Sequence, residues 1–220
     1  MMDLTKHQEF FNPVELRSKE INIIGVGAVG SWIAIQLAKL GLEKITIWDF
    51  DTVDDHNITN QVYTQQDLGK LKVDALEEHL LANNPEMKII KKGKYENQTL
   101  KGIIFLEVDS VELRHSIAEV NMYNAYLDLI IDGRIGLSTG IVYCVNWKDP
   151  KEIENYISLC DFKDSESDAP VSACGTTLSV SPSVLLSAAF AVSSLINYTK
   201  GEKINKITSF DAFRGLARGI

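Results

Sequence analysis

Gly25-Val-Gly27-Ala-Val-Gly30 is the first stretch of this 220-residue chain whose residue types and spacing could do chemistry. Glycines at these intervals allow a tight turn, close approach of the backbone to a phosphate, and tight packing of the following helix on a sheet. The start of that helix would offer unpaired N–H groups and roughly half a positive charge from its dipole. Asp49 follows some twenty residues later, where a carboxylate accepts hydrogen bonds from ribose hydroxyls. Together these residues specify a nucleotide without saying which one, because a nicotinamide dinucleotide would be held by the same glycines.

The residues after Asp49 narrow the choice. They read Asp49-Phe-Asp51-Thr-Val53-Asp-Asp-His-Asn57-Ile-Thr-Asn60-Gln61. Two carboxylates followed by amides in a polar turn suit a metal-bound polyphosphate, whereas a nicotinamide ring wants apolar walls. No Tyr-x-x-x-Lys pair or other hydride-transfer set is apparent, so an oxidoreductase is the weaker alternative.

Further ordered elements follow. Gly69-Lys-Leu-Lys72 opens a helix. Asn84-Pro85, Asp109-Ser110 with Arg114 four residues on, Ile131-Asp-Gly-Arg134, an apolar helix within 175–194 and Phe210-Asp211 complete the series. This series resembles the ThiF/MoeB-type adenylyltransferases, the superfamily that includes the ubiquitin-activating enzymes, from about Ile21 to the C-terminus.

The resemblance implies ATP and Mg²⁺ as cofactors. It also implies a reaction in which the C-terminal glycine carboxylate of a small ubiquitin-like or sulfur-carrier protein, or of a peptide, attacks the α-phosphate and releases pyrophosphate. Such chemistry is mainly positioning and charge neutralisation. By similarity, Gly25, Gly27, Ala28 and Gly30 form the phosphate turn and Asp49 meets the ribose. Asn57 and Lys72 face the phosphates, Asp51 and Asn60 line the nucleotide, and Asp109 holds Mg²⁺ with Ser110 beside the nucleotide. The bland alternatives are a solvated helix lysine for Lys72 and a strand-end cap for Asp109.

Two departures from the family pattern bear on catalysis. The family usually has Arg where Asn60 stands, and a second Arg in an N-terminal helix that enters the partner subunit's site. Arg17 and Arg134 are the candidates to compensate. A catalytically impaired module that binds nucleotide or partner without turnover is therefore the alternative function. Some members pass the activated carboxylate to a cysteine in a crossover loop. Cys174 is the candidate nucleophile, Cys160 the second, and Cys144, in a strand pattern, is expected in the core. No structural zinc is expected, because the chain has no CxxC pair and its four histidines share no ligand spacing.

The elements that must position these residues are legible from periodicity. Strands are expected at 21–25, 44–48, 88–92, 103–108, 129–132, 140–146 and 207–213, and helices at 28–40, 70–83, 112–126 and 181–198. The alternation predicts an α/β, Rossmann-like, mostly parallel sheet with helices on both faces. The polar stretch 149–173 reads as a crossover loop.

Composition sets the outer limits. Twenty-two basic against 30 acidic residues give a net charge of −8, which disfavours nucleic acid as a partner. The length suits a single ThiF-type domain over 1–220. Three cysteines without a framework and an N-terminus without a signal pattern suggest the cytoplasm, and the apolar stretch 178–197, with Pro182 and its serines, reads as a buried helix rather than a membrane span. A small-residue helix at 187–194 and the habit of short relatives suggest a homodimer.

Overall fold

A computed structural model describes residues 2–7, 9–160 and 179–220. Among these residues, eight strands form one sheet: β1 (Ile21–Ile24), β2 (Lys44–Trp48), β3 (Lys88–Lys92), β4 (Gly102–Leu106), β5 (Leu127–Ile135), β6 (Thr139–Asn146), β7 (Ile207–Asp211) and β8 (Leu216–Gly219). Their spatial order is β3-β2-β1-β4-β5-β6-β7-β8. The first five strands in that order are parallel, and β6, β7 and β8 continue antiparallel from β5.

Among the described residues, five α-helices cover the sheet: α1 (Ala28–Lys39), α2 (Lys72–Asn83), α3 (Val111–Val120), α4 (Pro150–Leu159) and α5 (Ser181–Thr199). Side chains of α1, α2 and α5 share one apolar cluster with one face of the strands. Those of α3 and α4 share another with the opposite face. The expected α/β sheet with helices on both faces is what the chain forms. Strands β1 and β4 read as nearly unbroken apolar runs because both of their faces are covered. The one polar side chain in β1, Asn22, is buried but satisfied: it accepts from Trp48 Nε1 at 3.1 Å and donates to the Lys101 carbonyl at 3.2 Å.

The chain runs from β1 through α1 to β2 on one side and returns to β4 on the other. This reversal opens a crevice beyond the carboxyl ends of β1 and β4, the place where open α/β sheets bind ligands. Gly25, Asp49, Asp109 and Arg134 all lie at or just past carboxyl ends of parallel strands.

Three expectations are corrected. Residues 150–159 of the expected loop form α4, started by Asp149, whose side chain accepts from Lys151 N–H, and by a proline in the first turn. Its Ile153 and Tyr156 recur one turn apart and are buried against β5 and β6, which outweighs the polar composition of the segment. The remainder of the loop, from 161, lies outside the described residues. Helix α3 stops at Val120, not 126, where Asn121 turns its amide back onto the Ile117 carbonyl at 2.9 Å. Strand β8 was not expected: a four-residue edge strand, its return turn carries Gly215 at φ +64°.

Helix α5 is long and apolar enough to cross a membrane by length and composition. Here it lies against α1, β5 and β6, with Val184, Ala188, Ala191 and Leu195 sealed in the core.

Candidate active site

The glycine turn between β1 and α1 is dictated by two close approaches. At Gly25, φ is +88° and a Cβ would lie 2.5 Å from the Glu107 carbonyl; at Gly30 a Cβ would lie 2.0 Å from the Gly25 carbonyl. Neither position accepts a side chain. Gly27 differs, because nothing lies within 4 Å of a Cβ built there. Gly27 is also the N-cap of α1 and supplies no side-chain cap, so the first turn of the helix faces that open space with its amides uncapped. An uncapped helix start beside an open cradle fits a phosphate.

Asp49 braces the same turn. Its Oδ2 accepts from Val26 N–H and its Oδ1 from Asp51 N–H, both at 2.9 Å. Tyr63, fully buried, donates from its hydroxyl to the Val26 carbonyl at 2.7 Å and pins the turn from beneath. Burial, with the nearby charges of Asp49, Asp67 and Asp51, drives the Tyr63 phenol upward, so it stays a donor. No local sequence signal marks Tyr63; only the fold brings it under Val26.

Lys72 begins α2. Its side chain is 9% exposed and its Nζ lies 2.9 Å from Asp51 Oδ2. The turn that delivers it is held by Asp67, whose carboxylate accepts from Thr64 N–H and Oγ at 2.8 Å and lies 2.8 Å from His79 Nε2. Burial would raise the Asp67 carboxyl, yet the hydrogen bonds from His79 and Thr64 bring it down to about 2.

Asn57 is buried and its side-chain oxygen accepts from Asp54 N–H at 2.9 Å, closing the turn after Asp51. Asn60 donates to Ser179 Oγ at 2.7 Å, and its carbonyl accepts from Trp32 Nε1 at 3.0 Å, so it ties α1 to the chain two residues before α5. Ser110 caps α3, accepting from Leu113 N–H at 3.1 Å. Asp109 is exposed beyond β4 and engages no described residue. Ala28 is the first residue of α1. The fold thus brings Gly25, Gly27, Ala28, Asp49, Asp51 and Lys72 to one crevice, with Asp109 across it on the β4 side.

The two arginines weighed as substitutes separate. Arg17 pairs with Glu43, which precedes β2, at the opposite end of the sheet from the glycine turn. Arg134 lies at the site end, but its guanidinium is engaged by Asp132 and Cys160. Cys174 lies outside the described residues. Cys160 is not an exposed nucleophile: it is 1% exposed at the end of α4, packed in the core beside Tyr156. Cys144 is buried in β6 as expected.

Among the described residues, no three His, Cys, Asp or Glu side chains gather at one point. That donor set fits a Mg²⁺ held by one or two carboxylates together with substrate phosphates and water, and does not form an all-protein cage. Sequence reading passed over one group in the crevice wall, Glu107, whose carboxylate is sealed from solvent with no well-formed hydrogen bond among the described residues. Burial raises it to about 8, while the Arg114 charge and the Gly133 backbone pull the other way.

Comparison with known proteins shows the family and the fold. The model of the ThiF family matches residues 12–218. Ubiquitin-like modifier-activating enzyme 5 of Aedes aegypti is 30% identical over 121 residues, 46% of this chain and 30% of that protein. The tRNA threonylcarbamoyladenosine dehydratase of Haemophilus influenzae is 38% identical over 72 residues, 32% of this chain and 28% of that protein. The chain therefore spans less than a third of the length of either. Among solved structures, E. coli MccB with AMPCPP and MccA superposes with TM-score 0.74 at 16% identity, over 94% of this chain and 65% of that one. PaaA superposes with TM-score 0.72 at 20% identity, over 99% and 68%. At these identities the solved structures speak to the fold alone.

Proposed function

Because the chain belongs to the ThiF family, we propose that it is an ATP-dependent adenylyltransferase acting on the C-terminal carboxylate of a small ubiquitin-like or sulfur-carrier protein, or of a peptide. The observation that carries this reading is the crevice at the strand reversal, where an open glycine cradle, an uncapped helix start and a buried lysine converge. ATP supplies the α-phosphorus that the carboxylate attacks and the pyrophosphate that leaves, and Mg²⁺ screens the charge. The protein's part is to hold and neutralise. The α1 amides past Gly27 would meet the phosphate oxygens, Lys72 would offer its ammonium from a site that water scarcely reaches, Asp49 would keep the turn in shape beside the ribose, and Asp109, which engages no described residue, would present its carboxylate to the metal.

The relatives support the substrate class. One curated relative is by name an activator of a ubiquitin-like modifier, and one solved neighbour holds an ATP analogue together with MccA. The test is ATP–pyrophosphate exchange with and without peptides ending in Gly-Gly. Exchange that depends on the acceptor and falls about 100-fold or more in Asp109→Ala supports the reading. Acceptor-dependent exchange unchanged by that substitution contradicts the assignment of Asp109.

Asn60 favours a second reading, a module that binds without turning over. It stands where the family usually has Arg, and its amide is spent on Ser179. Tight ATP binding with no exchange across a panel of tail peptides would select this reading. We further propose a homodimer, for which light scattering at micromolar concentration gives twice the 24.5 kDa chain mass; a monomer there removes it.

A further inference from the structure

The exit of β4 and the end of α4 are joined by buried charges that the nucleotide site does not use. Asp132 of β5 is fully buried. It pairs with Arg114 of α3, and its Oδ2 accepts from Arg134 Nε at 2.9 Å and from the Tyr156 hydroxyl at 2.8 Å. Arg114, 5% exposed, also donates to the carbonyls of Leu106, Val108 and Gly133. Leu106 and Val108 carry the chain out of the sheet to Asp109. Arg134 in turn donates to Cys160 Sγ at 3.0 Å and to the Leu159 carbonyl at 3.4 Å, at the end of α4.

A strand that leaves its sheet strands its last carbonyls, and one planar guanidinium can serve several of them where a point-like ammonium cannot. A buried guanidinium needs a counter-charge close by. Asp132 is the carboxylate that pairs with it directly; Glu107, toward Ser187 on the other side of Gly133, adds its charge from farther off. Asp132 thus holds the clamp on the β4 exit and the clamp on α4 with one carboxylate.

We propose that Asp132 is a positioning residue for the metal–nucleotide site: through Arg114 it sets the path of residues 107–110, and with it the place of the Asp109 carboxylate, while through Arg134 it ties the end of α4 to the same anchor. The consequence for metal binding rests on the nucleotide reading above; the linkage does not.

The test compares the full chain with Asp132→Asn and Arg114→Lys in two measurements. Peptide-resolved hydrogen exchange of the nucleotide-free protein reads the linkage. Exchange is expected to quicken about 10-fold or more over residues 105–114 and 156–160, and to stay within about twofold in β1 and α2. Titration of ATP with and without Mg²⁺ reads the consequence. The gain in affinity from Mg²⁺ is expected to fall about 10-fold or more while metal-free ATP binding holds within about threefold. Unchanged exchange over 105–114 overturns the linkage. Quickened exchange with an intact Mg²⁺ gain overturns the positioning role. A wild-type chain that binds no ATP under either condition overturns the nucleotide reading and the positioning role together, and exchange still decides the linkage. If Asp132→Asn does not fold, Tyr156→Phe, which removes a single hydrogen bond to the same oxygen, takes its place.

Discussion

Lys72 and Asp51 hold one another twice: the Lys72 ammonium lies 2.9 Å from Asp51 Oδ2, and the Lys72 backbone N–H donates to the Asp51 carbonyl at 2.9 Å. The lysine is desolvated while the carboxylate is half exposed, so an incoming polyphosphate can share the ammonium without first stripping it of water. Lys72→Met is expected to weaken ATP binding about 10- to 100-fold by calorimetry. Asp51→Asn, which leaves the ammonium in place, is expected to cost less than about threefold. Equal losses would mean that the pair, and not the lysine, carries the binding.

Gly27 and Gly30, three residues apart, make opposite predictions. A Cβ at Gly30 runs into the Gly25 carbonyl, so Gly30→Ala is expected to lose about 2 kcal/mol or more in urea denaturation. A Cβ at Gly27 meets nothing, so Gly27→Ala is expected to keep stability within about 1 kcal/mol while intruding on the phosphate cradle and weakening ATP binding. ATP affinity unchanged in Gly27→Ala would move the nucleotide elsewhere.

Asp67 gives an acid-side prediction. Its carboxyl titrates at about 2 in the folded chain against an ordinary 3.8, so its contribution is present above the unfolded value and is lost as pH falls through about 2. Asp67→Asn is expected to cost about 1–2 kcal/mol at pH 7, with the gap to wild type closing between about pH 4 and pH 2 in thermal melts. A constant gap would assign the loss to packing instead.

Glu107 gives the opposite sign. Its folded value, about 8, lies above the ordinary 4.5, so the folded chain holds a proton that the unfolded chain releases. Stability from this group is complete below about 4.5 and declines as pH rises toward about 8. Glu107→Gln is expected to flatten the stability profile across that window and to exceed wild type above it, read by melting between pH 5 and 9. An unaltered slope would place the titration on another group.

How much of this was legible in the sequence varies by element. Strands β1 to β3 and helices α1, α2 and α5 are legible to within a residue or two, because each carries a compact apolar or periodic signal with a polar residue or a glycine close to its end. Helix α4 was missed. Its core-facing residues are few, and the polar ones between them are charged as a loop's would be; only the packing of Ile153 and Tyr156 on β5 and β6 decides for helix. Strand β8 was missed because four exposed residues carry no hydrophobic alternation, and pairing with β7 alone makes them a strand.

The candidate site divides along the same line. Sequence alone determined the glycine turn after β1, the acid at the end of β2, and the places of Lys72 and Asp109 in the chain, because glycine spacing and local order along the chain are one-dimensional properties. Tertiary structure alone decided which of these side chains are free. It spent the Asn57 amide on a turn and Asn60 on Ser179, buried Cys160, and locked Arg134 onto Asp132. It also placed Tyr63, Glu107 and Asp132 around the crevice. Those outcomes depend on which carbonyls and charges meet across the sheet when water is excluded, and residues far apart in the chain do not reveal that until they are packed.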